Sequence, residues 1–382
     1  MKNKPKILVI AHEAYLNGAT HSLLTLLIDL NNEYEFLVII PETGVIENIL
    51  RDNKINYRVL NLPRCAYFGY KNIRNHIYKI REYRRLKKYY VEKLMLLIND
   101  FEVDVIYTNT SVLSIGYDLS KKIGKPHIWH IREYGDLDFN LTYLPFKAIV
   151  IKKIKNSLIS IFTTSLLKHY WVKNYKNSKV IYNGVFEETL QSYKNNIFPI
   201  THFRISIIGM VIETKGQLQA LRIFSKLHNK LKNIELLIYG EYDNSSYKKK
   251  LDSFIIDNGL SDCVSFKGYV SNNKIYDEME ILLCCSKNEG FGRTIIEAMS
   301  YGIPIVSVNK AGPKEIVENN FDGFLYDNEN EAVRILEELI INQKLYDRIS
   351  KNSISSAKNK FSKNKYVNSI NTIYKNALNA GN

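Results

Sequence analysis

Two glutamates eight positions apart mark the segment of this chain with the clearest capacity for chemistry. Glu289 and Glu297 flank a Gly-Phe-Gly turn that leads from a strand-like run into the start of a predicted helix. Free backbone N–H groups at such a turn and the positive end of a helix dipole favour an anion. Carboxylates accept hydrogen bonds from hydroxyls, so the segment suits an anionic group joined to a polyol, as in a nucleotide-sugar.

The residues of this turn have separate predicted roles. Gly290 and Gly292 let backbone N–H groups approach a phosphate closely. Thr294 is expected to cap the following helix or to bond a phosphate oxygen. Glu297, expected in the first helical turn, could accept both hydroxyls of a ribose, and Glu289 could hold hydroxyls of a sugar. The plainer alternative is that Glu297 only complements the helix dipole and that Glu289 is solvated.

The elements that must position these residues alternate between strand-like runs and helical patterns. Several of the strand-like runs are almost continuously apolar, as expected of parallel strands buried on both faces. The runs are 6–10, 35–40, 56–60, 103–108, 127–131, 160–165, 179–183, 204–209, 234–240, 263–268, 281–286, 303–308 and 323–327, with helical patterns at 19–30, 216–231, 293–301 and 331–341. The alternation predicts an α/β fold with two Rossmann-like, doubly wound parallel-sheet domains facing a central cleft.

The predicted domains are residues 1–190 and 203–360. The polar segment 186–202 between them lacks periodicity and contains a proline. The closing segment 361–382 is predicted to be a helix that could cross back to the first domain. Because ligands of open parallel sheets bind beyond the carboxyl ends of the strands, residues that follow strand ends are the natural candidates for a site.

A family resemblance rests on the segment 286–326, which is similar to the donor-binding signature of GT-B retaining glycosyltransferases of family 4. It comprises the two glutamates, the glycine turn, the strand SYGIPIVSV and the segment GPKEIVENNFDGFLY. Weaker similarities occur at 17–20, 180–185 and 208–216. The resemblance implies transfer of a sugar from a nucleotide-diphosphate sugar to an acceptor hydroxyl with retention of anomeric configuration, in bacterial surface polysaccharide or glycolipid assembly.

The resemblance also implies roles for residues of the second domain. The counterpart of Glu297 binds the ribose, and the counterpart of Glu289 contacts the transferred sugar and supports its developing charge. Lys215 matches a lysine that neutralises the diphosphate leaving group. The backbone amides implied to hold the diphosphate are those of Phe291, Gly292 and Thr294.

One position departs from the family pattern. The family often has an arginine directly after the glycine that corresponds to Gly209, whereas this chain has Met210. The departure removes one expected phosphate contact, and Arg293, inside the turn, could compensate for it.

The first domain contributes a second group of candidates. Gly18 resembles a loop glycine that lets the backbone reach the donor, and the preceding Asn17 also tolerates positive φ; an ordinary turn is the alternative.

His130 resembles a family histidine near the donor sugar, although a structural histidine is the alternative. On a strand, His127 and His130 should point to opposite faces and therefore should not share a metal ion. The predicted acceptor region contains Asn109, Arg132 and Glu133.

The charge of the chain is strongly basic, with a net charge of +14 over 382 residues. Much of the excess lies in residues 71–93, where apolar residues recur at helical spacing from Ile73 to Leu94. Such a helix could lie on an anionic membrane surface, although an ordinary surface helix with its apolar stripe in the core is equally compatible with the pattern.

Several function classes lack their sequence features. We expect no transmembrane helix, no secretory signal, no metal site and no bound cofactor, and hence a metal-independent protein in the cytoplasm or at the inner face of the cell membrane. The expected partners are the nucleotide-sugar donor and a saccharide or lipid-linked saccharide acceptor, without nucleic acid. The alternatives are a GT-B-like nucleotide-sugar epimerase and a non-catalytic basic protein that binds nucleic acid.

Overall fold

The computed structural model describes residues 4–69, 72–185, 202–242, 246–270 and 273–381. The chain forms two compact units, one of Met1–Gly184 with Lys363–Asn382 and one of Val185–Ser362. The predicted boundary segment 186–202 lies outside the described residues except for its last position, and residue 71 of the basic segment also lies outside them.

The first unit alternates strands and helices from its first described residues. Its strands are β1 (Lys6–Ile10), β2 (Glu35–Ile40), β3 (Asn56–Val59), β4 (Ala66–Phe68), β5 (Val105–Thr108), β6 (His127–Ile131), β7 (Leu141–Tyr143), β8 (Ile159–Phe162) and β9 (Ser178–Val180). Its helices are α1 (Gly18–Leu30), α2 (Val45–Asp52), α3 (Ile73–Leu97), α4 (Ile115–Ile123), α5 (Lys147–Asn156), α6 (Ser165–Val172) and a C-terminal helix (Lys363–Gly381).

Parallel pairing joins seven of these strands into one sheet in the order β3–β2–β1–β5–β6–β8–β9. The chain order reverses between β1 and β5, where Ile7 lies opposite Val105, and such a switch point opens a crevice at the carboxyl ends of the strands. The C-terminal helix completes the core with Tyr366, Ile370 and Tyr374. Strands β4 and β7 form a separate antiparallel pair.

The second unit has the same kind of construction. Its strands are β10 (Phe203–Ile208), β11 (Ile234–Tyr239), β12 (Val264–Gly268), β13 (Ile281–Cys284), β14 (Ile305–Val308) and β15 (Phe324–Tyr326). Its helices are α7 (Gln217–His228), α8 (Ser246–Asp257), α9 (Arg293–Ser300), α10 (Ala311–Ile316), α11 (Glu329–Ile341) and α12 (Gln343–Lys360). The C-terminal helix of the first unit, Lys363–Gly381, is therefore numbered α13.

The sheet of the second unit is parallel in the order β12–β11–β10–β13–β14–β15. Its switch point lies between β10 and β13, where Ile205 pairs with Ile281. Helices α7 and α11 pack on this sheet with the fully buried Leu221 and Leu336. The loops after β10 and β13 therefore meet at one place on the sheet edge.

The predicted α/β fold with two parallel-sheet units is confirmed, and the runs expected to be strands form strands within a few residues of their expected bounds. Strands β4 and β7 were not expected. They are three residues long, too short for a periodic pattern, and depend on pairing across more than 70 positions of sequence. None of the described helices combines the length and the apolar character that crossing a bilayer requires.

Candidate active site

Lys215 and Glu289 meet at the switch point of the second unit. Lys215 ends a short 3₁₀ turn after β10, and Glu289 lies in the loop after the neighbouring strand β13. The Lys215 Nζ donates a hydrogen bond to the Glu289 Oε2 across 2.6 Å, and the two side chains are 20% and 24% exposed. An ammonium and a carboxylate thus stand where a ligand of this sheet is expected.

Two glycines hold the loops that carry this pair. Gly216 has a φ of +80°, and a Cβ atom at this position would lie 2.6 Å from the Cys285 carbonyl oxygen. The Gly312 N–H donates to the Glu289 carbonyl at 2.8 Å. A Cβ atom on Gly312 would lie 2.7 Å from that carbonyl oxygen and 2.5 Å from the Phe291 carbonyl oxygen. Since backbone cannot yield at such distances, both positions require glycine.

The start of helix α9 differs from the sequence expectation in two respects. Gly292, with a φ of +99°, is the N-cap residue, so Thr294 is the second helical residue and does not cap the helix. Glu297 consequently lies in the second turn of α9, and the first turn contains no acidic residue. Phe291 and Gly290 are buried beside this turn, whereas Thr294 is half-buried.

Both carboxylate oxygens of Glu297 are held by neighbouring side chains. The Arg293 Nε donates to Oε1 at 2.6 Å, and the Tyr276 hydroxyl donates to Oε2 at 2.6 Å. Burial first, and then the charge of Glu297, raises the pKa of Tyr276 well above its usual value, so this hydroxyl keeps its proton. Each carboxylate oxygen retains a second acceptor position, which leaves Glu297 able to accept hydroxyl groups of a ligand.

The loop after β10 has no cation at its first side chain. Gly209 has a φ of +148°, and the Met210 side chain is 49% exposed. The Met210 carbonyl accepts a hydrogen bond from the buried Gln217 Nε2 at 3.0 Å. In this loop the positive charge is therefore carried by Lys215, and Arg293 is engaged with Glu297.

Arg132 is the centre of a buried polar network in the first unit. Its side chain is almost completely buried. Its Nε donates to the Asn109 Oδ1, its Nη1 to the Asn183 Oδ1 and its Nη2 to the Tyr366 hydroxyl, at 2.8, 2.8 and 2.9 Å. The guanidinium thus binds the loop after β5, the end of the first unit's main segment and α13 to one another.

His130 lies beneath this network and is fully buried. Its Nδ1 is 2.7 Å from the Tyr107 hydroxyl and 3.4 Å from the Arg132 Nη2. Because a guanidinium can only donate, Nδ1 must accept and Nε2 carries the proton. Burial, assisted by the charge of Arg132, lowers the pKa of His130 well below its usual value, so the ring is neutral. No other described residue accepts a hydrogen bond from Nε2.

Glu133 organises the loop that follows β5. Its Oε1 accepts hydrogen bonds from the Thr110 hydroxyl, the Ser111 backbone N–H and the Ser111 hydroxyl at 2.6–2.7 Å. These three donors use much of the hydrogen-bonding capacity of Oε1. Glu133 therefore holds the loop after β5, which contains predicted residues of the acceptor-substrate region, in its conformation.

The loop after β1 differs from the glycine loop that the sequence suggested. Asn17 has a φ of −131° and caps α1 through a capping box with Thr20, and Gly18 is the first helical residue. The loop instead presents His12 and Glu13, and Arg64 donates to the His12 carbonyl at 3.0 Å. Burial lowers the pKa of His12 despite the neighbouring Glu13. No motif marked these side chains, because the approach of Arg64 to His12 and Glu13 spans about 50 positions of sequence.

The two histidines of β6 have separate partners, as their spacing predicts. His127 is bonded to the Thr108 and Ser157 hydroxyls, each at 2.9 Å. Among the residues that the structure describes, no group of three His, Cys, Asp or Glu side chains could hold a metal ion.

Comparisons with known proteins bear on the second unit above all. Residues 194–356 match the family model described as "Glycosyl transferases group 1". An uncharacterized glycosyltransferase of Haemophilus influenzae is 28% identical over 194 residues, which cover 50% of this chain and 54% of that protein. The capsular polysaccharide biosynthesis glycosyltransferase CapM of Staphylococcus aureus is 24% identical over 196 residues, which cover 47% of this chain and 49% of CapM. The match thus spans about half the length of each relative.

The fold has close counterparts among solved structures. The crystal structure of Anabaena HepE in complex with UDP and glucose has a TM-score of 0.76 and 19% sequence identity, and the superposition covers 97% of this chain and 100% of HepE. The structural neighbours are GT-B glycosyltransferases. Residues 194–356 of this chain therefore match the Glycosyl transferases group 1 family, and the fold of the chain resembles that of GT-B glycosyltransferases.

Proposed function

We propose that this protein is a retaining glycosyltransferase that moves a sugar from a nucleotide-diphosphate sugar to an acceptor hydroxyl. The observation that carries the proposal is the 2.6 Å contact between Lys215 and Glu289 at the switch point of the second sheet. Glu297, held one helical turn beyond the glycine turn, would accept hydrogen bonds from the ribose hydroxyls of the donor. Anabaena HepE, which shares this fold, was solved with UDP and glucose.

In the proposed reaction the bond between the anomeric carbon and the diphosphate breaks while the acceptor oxygen bonds to that carbon on the same face. The acceptor proton passes to the departing phosphate oxygen, so that atoms and charge balance. Lys215 neutralises the negative charge that grows on the diphosphate, and the backbone N–H groups of Phe291, Gly292 and Thr294 contribute further donors. Glu289 contacts the sugar hydroxyls and supports the positive charge that develops on the sugar.

A metal ion is not required by this scheme. Lys215 and the N-terminus of helix α9 offer positive charge to the diphosphate. In other phosphate-transfer sites a divalent cation neutralises this negative charge. Removal of divalent cations with EDTA should therefore leave the rate of transfer unchanged.

The acceptor is proposed to be a saccharide, free or lipid-linked, in surface polysaccharide or glycolipid assembly. CapM, a relative by sequence, carries a capsular polysaccharide biosynthesis name. The acceptor would bind near the first unit's polar loops, around Asn109, Arg132 and Glu133. A cytoplasmic protein whose basic segment contacts the inner face of the cell membrane would meet a lipid-linked acceptor there.

The first test is a thermal-shift screen with UDP, GDP, ADP and their sugar conjugates. A ligand at 100 times its Kd stabilises the protein by about 2.7 kcal/mol. The ligand that stabilises the wild type is then assayed for transfer with Lys215→Ala, which should lose most of the activity. Wild-type turnover in that variant would refute the assignment. Conversion of the donor sugar to another sugar without any acceptor would identify an epimerase. Salt-sensitive RNA binding without any nucleotide-sugar binding would favour a non-catalytic protein that binds nucleic acid.

A further inference from the structure

The amino-terminal end of α3 exposes an unusual amount of apolar surface. Ile73 is 75% exposed, Ile77 46% and Tyr78 62%. The same stripe is covered farther along the helix, where Tyr83 and Leu94 are buried. The apolar stripe seen in the sequence therefore has two parts, and the core accounts for the second part only.

Phe146, the residue before α5, adds an exposed aromatic side chain at this end of the helix, whereas Phe68 of β4 points to the opposite face from Tyr67 and lies away from α3. Phe68 is 69% exposed and Phe146 is 60% exposed. His76 of α3 bonds this end of the helix to β4 and to the residue before Phe146: its Nδ1 is 3.0 Å from the Tyr67 hydroxyl, and its Nε2 is 3.0 Å from the Pro145 carbonyl oxygen. The ring of Phe146 lies 6.0 Å from the His76 ring. The residues that we call the apolar tip are Ile73, Ile77, Tyr78 and Phe146.

Cations adjoin the apolar tip at Arg74 and continue from it along α3. From Ile73 to Val91 the helix contains one acid, Glu82. The exposed basic residues on this stretch and on the neighbouring α5 are Arg74, Arg81, Arg84, Arg85, Lys88 and Lys152. Apolar and aromatic side chains rimmed by Lys and Arg match the boundary between anionic headgroups and acyl chains.

We propose that the apolar tip inserts into an anionic phospholipid surface while the basic rim contacts the headgroups. This inference rests on the proposed action of the enzyme on an acceptor at the membrane, and it names the residues that make the contact. A nucleic acid would use the basic rim and could stack on the aromatic rings, but it offers nothing to the exposed Ile73 and Ile77. The combination of apolar and cationic side chains therefore favours lipid over nucleic acid.

A continuous stretch of the first unit joins the apolar tip to the predicted acceptor residues. The Tyr143 hydroxyl of β7 is 2.7 Å from the Ser111 hydroxyl, and the Ser111 hydroxyl donates to Glu133 at 2.6 Å. Glu133 itself begins the segment that leads through β7 to Phe146. The segment that contacts lipid is thus bonded to the loop proposed to receive the acceptor, which suits an acceptor whose anchor stays in the bilayer.

The test is flotation of the full chain with vesicles of phosphatidylcholine alone and with added phosphatidylglycerol. The tip variant Ile73→Ser/Ile77→Ser/Phe146→Ser should partition at least tenfold more weakly onto the anionic vesicles. The matched control is Ile256→Ser/Ile341→Ser, because these side chains of the second unit are 69% and 68% exposed; it should float like the wild type.

A charge variant makes the test independent of the apolar substitutions. Arg81→Glu/Arg84→Glu should weaken partition by more than tenfold, because each cation near such a surface contributes about a fivefold factor. Its control, Lys344→Glu/Lys351→Glu, changes exposed lysines of α12 by the same charge and should have a smaller effect. Each variant is also tested for stabilisation by the nucleotide that stabilises the wild type.

The outcomes separate the two proposals. Loss of flotation with unchanged nucleotide stabilisation supports the lipid surface. Flotation of the tip variant like the wild type, equal binding to neutral and anionic vesicles, or α3-dependent binding to RNA or protein in place of vesicles would each overturn it. Absence of nucleotide stabilisation in every protein, with flotation intact, would count against the donor site alone.

Discussion

Lys215 donates a hydrogen bond to Glu289 across 2.6 Å, although 74 positions of sequence separate the two residues. Adjacent strands β10 and β13 bring them together, one from each side of the switch point. Both side chains are partly exposed, and a pair in such surroundings stabilises a protein by at most about 1 kcal/mol. The contact therefore adds little to the stability of the fold. In the proposed function, it joins the cation that would bind phosphate to the carboxylate that would bind the sugar.

This arrangement predicts opposite effects of two substitutions on nucleoside diphosphate binding. Lys215→Ala should weaken UDP-type binding by about tenfold or more, because a charge-assisted contact is lost. Glu289→Gln should bind the diphosphate at least as tightly as the wild type, since Lys215 no longer faces a competing carboxylate, yet should lose transfer activity. Isothermal titration calorimetry and a transfer assay on the same proteins measure both effects.

Lys226→Ala is the matched control for the lysine. Its ammonium contacts Glu329 at 2.9 Å on the surface of the same unit, and its removal should change neither affinity nor rate. Equal weakening of diphosphate binding by Lys215→Ala and Glu289→Gln would contradict the proposed division of roles.

The turn and the helix that carry Glu289 and Glu297 could be predicted because they are local in sequence, whereas the approach of Lys215 depends on the strand order. Buried parallel strands are continuous apolar runs, and the spacing from Glu289 to Glu297 spans one loop and the start of one helix. The error at Thr294 had a local cause: Gly292, in the left-handed region, takes the N-cap position, so Thr294 is placed inside the helix and Glu297 one turn farther along than expected.

Side-chain partners that depend on strand order could not be predicted. Tyr276 reaches Glu297 from another part of the second unit, and Arg132 binds Tyr366 across 234 positions. No periodicity or motif records such pairs, because any of many buried tyrosines could supply the hydroxyl. The apolar tip could be predicted only in part. The sequence shows the apolar stripe of α3, but it does not show which half of the stripe is buried in the core.

The Tyr276 contact predicts a binding defect in a variant that lacks one oxygen. Tyr276→Phe removes a donor to the Glu297 carboxylate, which then has more freedom beside Arg293. The donor KM should rise by roughly tenfold, the scale of one hydrogen bond to a charged group, with a smaller change in kcat. Tyr239→Phe, which removes a hydroxyl bonded to Glu278 at 2.9 Å, is the control. Equal KM values in the two variants would contradict this role for Tyr276.

The Arg132 network predicts a loss of stability on a substitution that keeps the charge. Lysine cannot reach the three acceptors that the planar guanidinium binds, so Arg132→Lys should lower the free energy of unfolding of the first unit by about 2–4 kcal/mol. The midpoint of its thermal transition should fall by about 5 °C or more in differential scanning calorimetry. Arg334→Lys on the exposed face of α11 should leave the midpoint unchanged, and an unchanged midpoint in Arg132→Lys would show that the network is dispensable.

His127 predicts how stability depends on pH. Burial lowers its pKa to about 3, against an unfolded value of about 6.5, so the unfolded chain binds one more proton between these values. Its contribution to stability is complete above about pH 6.5 and declines as the pH falls toward 3. His127→Gln removes the titrating group, so the slope of unfolding free energy against pH, from urea titrations at pH 4–6, should decrease by about 1.4 kcal/mol per unit. His169→Gln, at an exposed position, should retain the wild-type slope, and the same slope in His127→Gln would mean that this ring is charged in the folded protein.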